Sequence, residues 1–379
     1  MRSVVAQMTA YTLELREAEI KLNQNESPFD FPRALKEQVL ARAAERAWNI
    51  YPDFESTELR EAIAGAYALR ADEVLVGNGS NELLAAAIGA LVGPGTPVVF
   101  ARPTFTLYEK LIAIAGGLPI PIEFDPRDGV LPLEAMLDAA VEGAVIIVCS
   151  PNNPTGGVLP AGGVEKLLAT GATLLLDAAY ADFDAPPPRA THDRLVTFST
   201  FSKAWGLAAL RLGWLAASPA MCREIRKVRL PYNLNVISEA AAIVALEHRE
   251  VRDANVARIV AERDRVARLM APLVETFPSA ANFIAFRCAR NCKEMFEELY
   301  ARGILIRDVS SYPRMNDCLR VSIGTPQEND RFLDALRGVI PSAVEGAPSQ
   351  MPRSSRMAGD PSTPLRSAQD DTGLRQENQ

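Results

Sequence analysis

Of the seven lysines in the sequence, Lys203 stands apart, because it lies among hydroxyl and apolar side chains in Ser-Thr-Phe-Ser-Lys-Ala-Trp-Gly. A lysine in such a setting is desolvated and its pKa falls, leaving a neutral amine able to form an imine with an aldehyde. A lysine snorkelling from a helix end gives the same pattern without chemistry. Eight residues on, Arg211 sits among small and apolar residues in Leu-Ala-Ala-Leu-Arg-Leu-Gly-Trp. A guanidinium buried there calls for an anion, either a phosphate held by two parallel hydrogen bonds or an internal carboxylate. Hydroxyls on Thr200 and Ser202 complete a cup of the same kind.

Gly77-Asn78-Gly79-Ser80-Asn81-Glu82 follows an apolar run and opens a helical stretch. Its glycines allow a tight turn, Ser80 is placed to cap the helix, and free amides at the helix start point toward an anion. An ordinary capped turn has the same composition. Asp177 ends the apolar run Thr-Leu-Leu-Leu-Asp and precedes Tyr180. A carboxylate at that edge of an open α/β sheet lies where such sheets bind ligands. It can keep a pyridine nitrogen protonated while Tyr180 bonds a phenolic oxygen, or it can cap the next helix. In Ser150-Pro151-Asn152-Asn153-Pro154-Thr155-Gly156, two prolines fix a turn that holds Asn153.

The elements that must position these groups read as an α/β arrangement. Leu35, Val39, Ala43 and Ala47, then Leu59, Ile63 and Tyr67, recur every four residues, which predicts helices over 33–47 and 56–69. Short apolar runs at 74–76, 97–100, 145–148, 173–176 and 195–198, separated by helical stretches, predict a largely parallel sheet buried on both faces. Residues 250–270 read as one long exposed helix leaving the first domain. Further strands at 282–286, 304–306 and 319–323 belong to a second, smaller α/β domain. Residues 341–379, without aromatics or isoleucine and rich in Pro, Ser, Arg and Gln, read as a disordered tail.

Composition narrows the chemistry. The 379 residues are 48% hydrophobic with a net charge of -7, which supports a sizeable core and disfavours a nucleic-acid footprint. Five cysteines without a CxxC pair suggest buried reduced thiols, and two isolated histidines disfavour histidine catalysis or a metal site. No basic start leads into an apolar stretch, and no segment has about 18 uninterrupted apolar residues, so a soluble cytoplasmic protein without membrane partners is expected.

Taken with Lys-Leu-Asn-Gln-Asn-Glu-Ser-Pro-Phe-Asp-Phe-Pro from Lys21, Tyr51-Pro52, Pro-Thr-Phe-Thr-Leu-Tyr from Pro103 and Cys-Leu-Arg-Val-Ser-Ile-Gly-Thr from Cys318, these segments resemble the fold-type I aminotransferases that use pyridoxal 5′-phosphate (PLP). Within them the chain is similar to the histidinol-phosphate aminotransferases, over roughly residues 10–340. The resemblance implies a three-layer α/β/α large domain with a mostly parallel sheet over residues 31–250, a smaller α/β domain over 251–340, and an N-terminal arm over 1–30. It implies that Lys203 carries PLP as an imine and later moves protons, that Asp177 partners the pyridine nitrogen, and that Tyr180 and Asn153 bond the ring oxygen. Tyr108 matches an aromatic stacked on the ring; Ser80, Asn81, Thr200, Ser202 and Arg211 match the phosphate cup. Tyr51 matches a tyrosine reaching the neighbouring subunit's phosphate, which implies a homodimer. Arg320 matches the clamp for a substrate α-carboxylate, Arg307 and Tyr11 match contacts to a substrate phosphate, and Asn153 also faces the substrate.

The implied reaction is ping-pong transamination between histidinol phosphate and 2-oxoglutarate, in histidine biosynthesis. An aromatic aminotransferase and a PLP decarboxylase of a phosphorylated amino acid are the alternatives. A dinucleotide oxidoreductase is disfavoured because Gly-Asn-Gly-Ser-Asn-Glu lacks GxGxxG spacing, and a catalytically silent domain because the lysine is kept. The sequence departs from the family at Ala178, where Glu is frequent, Asn81, where Asp is frequent, and Phe105, where Tyr is frequent.

Overall fold

The computed structural model describes residues 1–10, 16–185 and 192–340; Tyr11 and the segment 341–379 lie outside the described residues. The strands in chain order are β1 Ile20–Lys21, β2 Val74–Asn78, β3 Pro97–Arg102, β4 Leu118–Glu123, β5 Val145–Cys149, β6 Thr173–Asp177, β7 Leu195–Thr200, β8 Leu212–Ala217, β9 Glu275–Thr276, β10 Phe283–Arg287, β11 Ile304–Leu305, β12 Arg307–Asp308 and β13 Cys318–Ser322. Seven of them form one sheet in the order β2-β8-β7-β6-β5-β3-β4. All are mutually parallel except β8, which runs antiparallel to both neighbours. The interior strands β5 to β8 are buried almost throughout because helices cover both faces, which is why they read as unbroken apolar runs.

Helices Arg33–Ala44 and Thr57–Tyr67 bury Leu35, Val39 and Ala43, and Leu59 and Ile63, at the spacing predicted. The sequence pattern missed β4 and β8. β4, Leu-Pro-Ile-Pro-Ile-Glu, carries two prolines that a central strand rejects, and it lies at the sheet edge, where a missing N–H is tolerated. β8 holds Gly213 because a Cβ there would come within 2.3 Å of the Ser80 amide nitrogen. That approach sets the start of helix Ser80–Leu91 against the sheet.

The long helix Arg249–Met270 leads to a second, antiparallel sheet in the order β12-β13-β10-β9. The short parallel pair β1 and β11 brings the N-terminal segment beside it. The segment after β1, Asn23 to Asn25, then passes between the two sheets' functional ends: Ser322 in β13 donates to Asn25 Oδ1 at 3.1 Å and accepts from the Asn25 amide at 2.8 Å. Asn25 takes a positive φ of 54° to do so, a conformation Asn tolerates better than most residues.

Candidate active site

The carboxyl ends of β5, β6 and β7, the start of helix Ser80–Leu91, and the face of β12 and β13 enclose a cavity of about 400 Å³. That lies in the range of small-molecule sites, about 300–1,000 Å³. Its floor is Asp177, the last residue of β6, with a side chain only 4% exposed. Tyr108 donates to Asp177 Oδ2 at 2.6 Å and the Ala179 amide donates to Oδ1 at 3.1 Å. Burial pushes the carboxyl up, and these two donors pull it back toward the charged form. Among the described residues no basic side chain pairs with it, so a cation can be accepted from the cavity.

Lys203 follows β7 in a tight turn, half-buried, and donates to the Gln24 carbonyl at 2.9 Å. Burial first, then the Arg320 cation, lower its amine to about 7. An ammonium normally near 10.4 is thereby available as the free amine at neutral pH. Tyr180 lies beside it, with the Lys203 Nζ 5.7 Å from the ring centroid. The Tyr180 hydroxyl accepts from Asn25 Nδ2 at 3.0 Å, and burial drives it well above the ordinary tyrosine range.

At the other end, Ser80 and Asn81 open helix Ser80–Leu91 and line the cavity with Thr200, Ser202 and Arg211. Ser80 is the first helical residue rather than the cap; Gly79 precedes it, and no side chain caps the helix start. Gly79 has φ +79°, and a Cβ there would meet Arg211 Nη2 at 2.8 Å, so the glycine makes room for the guanidinium. Arg211 is exposed rather than buried, in the left-handed region at φ 53°, with a hydrogen bond to the Ala208 carbonyl at 3.1 Å. The burial argument from its neighbours therefore fails, since Leu210 and Leu212 flank it while its own side chain turns out of the core. Its place in the cavity stands.

On the wall facing Lys203, Arg320 of β13 is buried and donates to Asn153 Oδ1 and, at 2.9 Å, to the Asn23 carbonyl. Its guanidinium lies 5.1 Å from the Phe283 ring centroid. Arg307 of β12 is its direct cross-strand partner. Like charges placed opposite one another destabilise a sheet. Among the described residues the Arg307 side chain makes no ion pair, not even with Asp308 beside it, so two guanidinium groups present their charge to one cavity.

Eleven of the residues singled out in the sequence thus line this cavity: Ser80, Asn81, Asn153, Asp177, Tyr180, Thr200, Ser202, Lys203, Arg211, Arg307 and Arg320. Tyr108 is a correction. Its ring is fully buried behind the cavity with its hydroxyl on Asp177, and of the two rings in this segment it is Phe105, edge-on to Tyr108 at 5.7 Å, that lines the cavity. Phe105 lies in the loop before helix Leu107–Ala115 and Tyr108 in its first turn, so no single backbone period relates the two rings and they take different sides of the cavity wall. Tyr51 lies outside the cavity, 77% exposed and stacked on Tyr232 at 4.4 Å.

Sequence reasoning passed over Asn23, Gln24 and Asn25, although they join Arg320, Lys203 and Tyr180. The signal was a run of five consecutive polar residues, Asn23 to Ser27, between Leu22 and Pro28; in the fold two of them, Asn23 and Asn25, are buried. Tyr312 and Cys149, which also line the cavity, carried no signal of their own.

Residues 17–336 match the family model for aminotransferase class I and II. The histidinol-phosphate aminotransferase of Chlorobaculum tepidum is 35% identical over 85% of this chain and 94% of its own length. That of Chlorobium phaeobacteroides is 38% identical over 87% and 94%. The crystal structure of histidinol-phosphate aminotransferase from Sinorhizobium meliloti, in complex with pyridoxal 5′-phosphate, superposes with a TM-score of 0.79 at 25% identity, covering 89% of this chain and 98% of that one.

Proposed function

The chain belongs to the class I and II aminotransferases and is a PLP-dependent transaminase of the histidinol-phosphate aminotransferase family, and from that premise we propose that it exchanges an amino group between histidinol phosphate and 2-oxoglutarate, a step of histidine biosynthesis. The observation carrying this reading is the placement of Lys203 between a buried carboxylate, Asp177, and a wall of two guanidinium groups, Arg307 and Arg320.

The residues present suit PLP. Asp177, buried and without a basic partner among the described residues, fits a protonated pyridine nitrogen. The uncapped start of helix Ser80–Leu91 with Thr200, Ser202 and Arg211 fits a phosphate, in room that a Cβ at Gly79 would fill. Phe105, in place of Tyr108, is the ring positioned to pack on the cofactor face. When bound, PLP supplies an electron sink for the pair left at the substrate Cα. Asp177 sustains that sink by staying charged beside the ring nitrogen. Lys203, its amine lowered to about 7, is the group that would hold and move the proton at the substrate Cα. Tyr180 and Asn153 are the groups that would hold the ring oxygen, and Asn153 is itself held by Arg320.

Arg320 and Arg307 offer two planar forks suited to carboxylate or phosphate, which a donor with a phosphate and an acceptor with two carboxylates both require. Tyr11 belongs to the proposal as a further phosphate contact. The division into an arm (1–30), a cofactor-binding part (31–250) and a smaller part (251–340) is included too, and the separate seven-stranded and four-stranded sheets support it. The five cysteines are free and buried, which supports the cytoplasm, a reducing compartment.

A homodimer completes the reading. Trp48, Ile50, Tyr51, Leu230 and Tyr232 leave apolar surface exposed, which supports a face for a second copy, whose phosphate cup Tyr51 would reach. Light scattering after size exclusion is expected to give twice the chain mass, and a fully active monomer contradicts this part.

The test of the whole is an absorption spectrum of the PLP-loaded protein before and after histidinol phosphate. Loss of the visible band with formation of pyridoxamine phosphate, reversed by 2-oxoglutarate, is expected. Turnover of phenylalanine but not histidinol phosphate would replace the substrate with an aromatic amino acid, and release of carbon dioxide would replace transamination with decarboxylation.

A further inference from the structure

Behind the cavity, outside its lining, Arg252 of helix Arg249–Met270 touches two turns at once. Its Nη1 donates to Asp182 Oδ1 at 3.1 Å, and Asp182 lies in the short 3-10 turn Ala181–Phe183 that begins directly after Tyr180. The same guanidinium lies 4.6 Å from the ring centroid of Trp205, two residues after Lys203 in the turn closed by the Gly206 amide and the Lys203 carbonyl at 3.2 Å. Its remaining hydrogen bonds go to the neighbouring Asp253, at 2.8 Å from Nε.

This differs from a surface ion pair. The Arg252 and Asp182 side chains are only 14% and 20% exposed, and Trp205 is buried. Burial raises the Asp182 carboxyl, with Arg252 the cation that opposes it. A buried pair that loses one member leaves an uncompensated charge. Trp205 also packs on Phe201, at 5.2 Å between centroids and tilted by 42°, so with the guanidinium the ring has two partners that limit the turn's direction. The helix supplying Arg252 is anchored elsewhere, through Arg263 to the Ala281 carbonyl at 3.3 Å and Arg265 to Asp330 at 2.8 Å. Neither turn therefore has to hold the helix.

We infer that Arg252 is a positioning residue for the reaction, holding the turn that carries Tyr180 and the turn that carries Lys203 in one fixed arrangement from behind the cavity. Only a planar cation meets both demands: charge for Asp182 and a face for Trp205. The two functional groups it sets, the Lys203 amine and the Tyr180 ring, stand 5.7 Å apart, measured from Nζ to the ring centroid. The kinetic part of the inference rests on the transaminase reading; the positional part does not.

The experiment compares native and Arg252→Met protein, loaded with PLP, by hydrogen–deuterium exchange and by pH titration of the visible band. Arg252→Met is expected to speed exchange in both 178–184 and 200–206, to move the band's pH midpoint by roughly half a unit, and to lower kcat about tenfold with KM within about twofold. Arg252→Lys is expected to restore thermal stability, through the Asp182 pair, but not kcat or the midpoint, because the stack on Trp205 is lost. Native exchange in either turn, or a native midpoint, in folded and PLP-loaded Arg252→Met overturns the inference. If that variant does not fold, Asp182→Asn is read in the same way. A native protein that binds no PLP defeats the transaminase reading alone, and the exchange data still decide this one.

Discussion

The cavity has two unlike sides. On the floor, Asp177 closes a buried parallel strand, Lys203 follows the next, and the helix start at Ser80 stands against β8, so every group is fixed by strands buried on both faces. On the wall, Arg307 and Arg320 face each other across an antiparallel pair of which β12 is two residues long and an edge. The floor is electrically balanced for one ligand: a carboxylate below, an amine beside it and anion donors at the far end. The wall brings two guanidinium groups, Arg307 and Arg320, to the same cavity from directly opposite positions on the two strands. Floors of this kind determine what chemistry is done, and the wall determines on which molecule.

The largest effect is expected on the floor. Lys203→Ala removes both the covalent partner and the proton carrier, and kcat is expected to fall by about 10⁴-fold with loss of the visible PLP band. Retained turnover in that variant would mean that the floor does not define the chemistry. On the wall, Arg307→Ala is expected to raise KM for histidinol phosphate roughly 10- to 100-fold, the loss of about 1.5–3 kcal/mol from a charged hydrogen bond, while leaving phenylalanine turnover within about twofold. An equal loss for both donors would erase the distinction between the two sides.

The two sides were also unequally legible. Asp177 and Lys203 follow continuous apolar runs bounded by polar residues, so their position at a sheet edge could be read from one segment each. Arg211 was located correctly for a wrong reason, since an exposed side chain among apolar neighbours looks buried in sequence. The wall depends on partners far apart in the chain: Arg320 meets Asn23, 297 positions away, and Asn153, 167 away. No local period reports such pairings. Tyr108 and Phe105 show the limit at short range, because a three-residue spacing within Phe-Thr-Leu-Tyr does not say which ring turns to the cavity until the start of helix Leu107–Ala115 is known.

An effect of pH separates the sides further. With the Lys203 amine lowered to about 7, the apoprotein carries it neutral above that pH and charged below. Only the neutral amine attacks an aldehyde, so the rate of PLP capture is expected to rise about tenfold per pH unit up to about 7 and to level above it. Stopped-flow absorbance measures this directly. Because burial is the first cause and the Arg320 cation the second, Arg320→Gln is expected to move the midpoint upward, toward the ordinary lysine range, which would connect wall to floor. An unmoved midpoint would remove Arg320 as a cause and leave the two sides independent.

The smallest expected effect concerns what lies beneath the floor. Tyr108→Phe deletes one hydroxyl, and with it the 2.6 Å hydrogen bond to Asp177 Oδ2, while keeping the buried ring and its edge-on contact with Phe105. Asp177 retains the Ala179 amide on Oδ1, so it loses orientation and part of its charge stabilisation but not its place. Burial already raises this carboxyl and the Tyr108 hydrogen bond opposes the rise; without that bond the group moves further up, and a larger fraction is protonated as pH falls. A protonated Asp177 cannot pair with a pyridinium. PLP affinity is therefore expected to weaken by about 1 kcal/mol, roughly fivefold, near pH 6, with the defect shrinking as pH rises toward 8.5. A ring that stacked on the cofactor would behave differently, since phenylalanine stacks as well as tyrosine and the substitution would then change nothing at any pH.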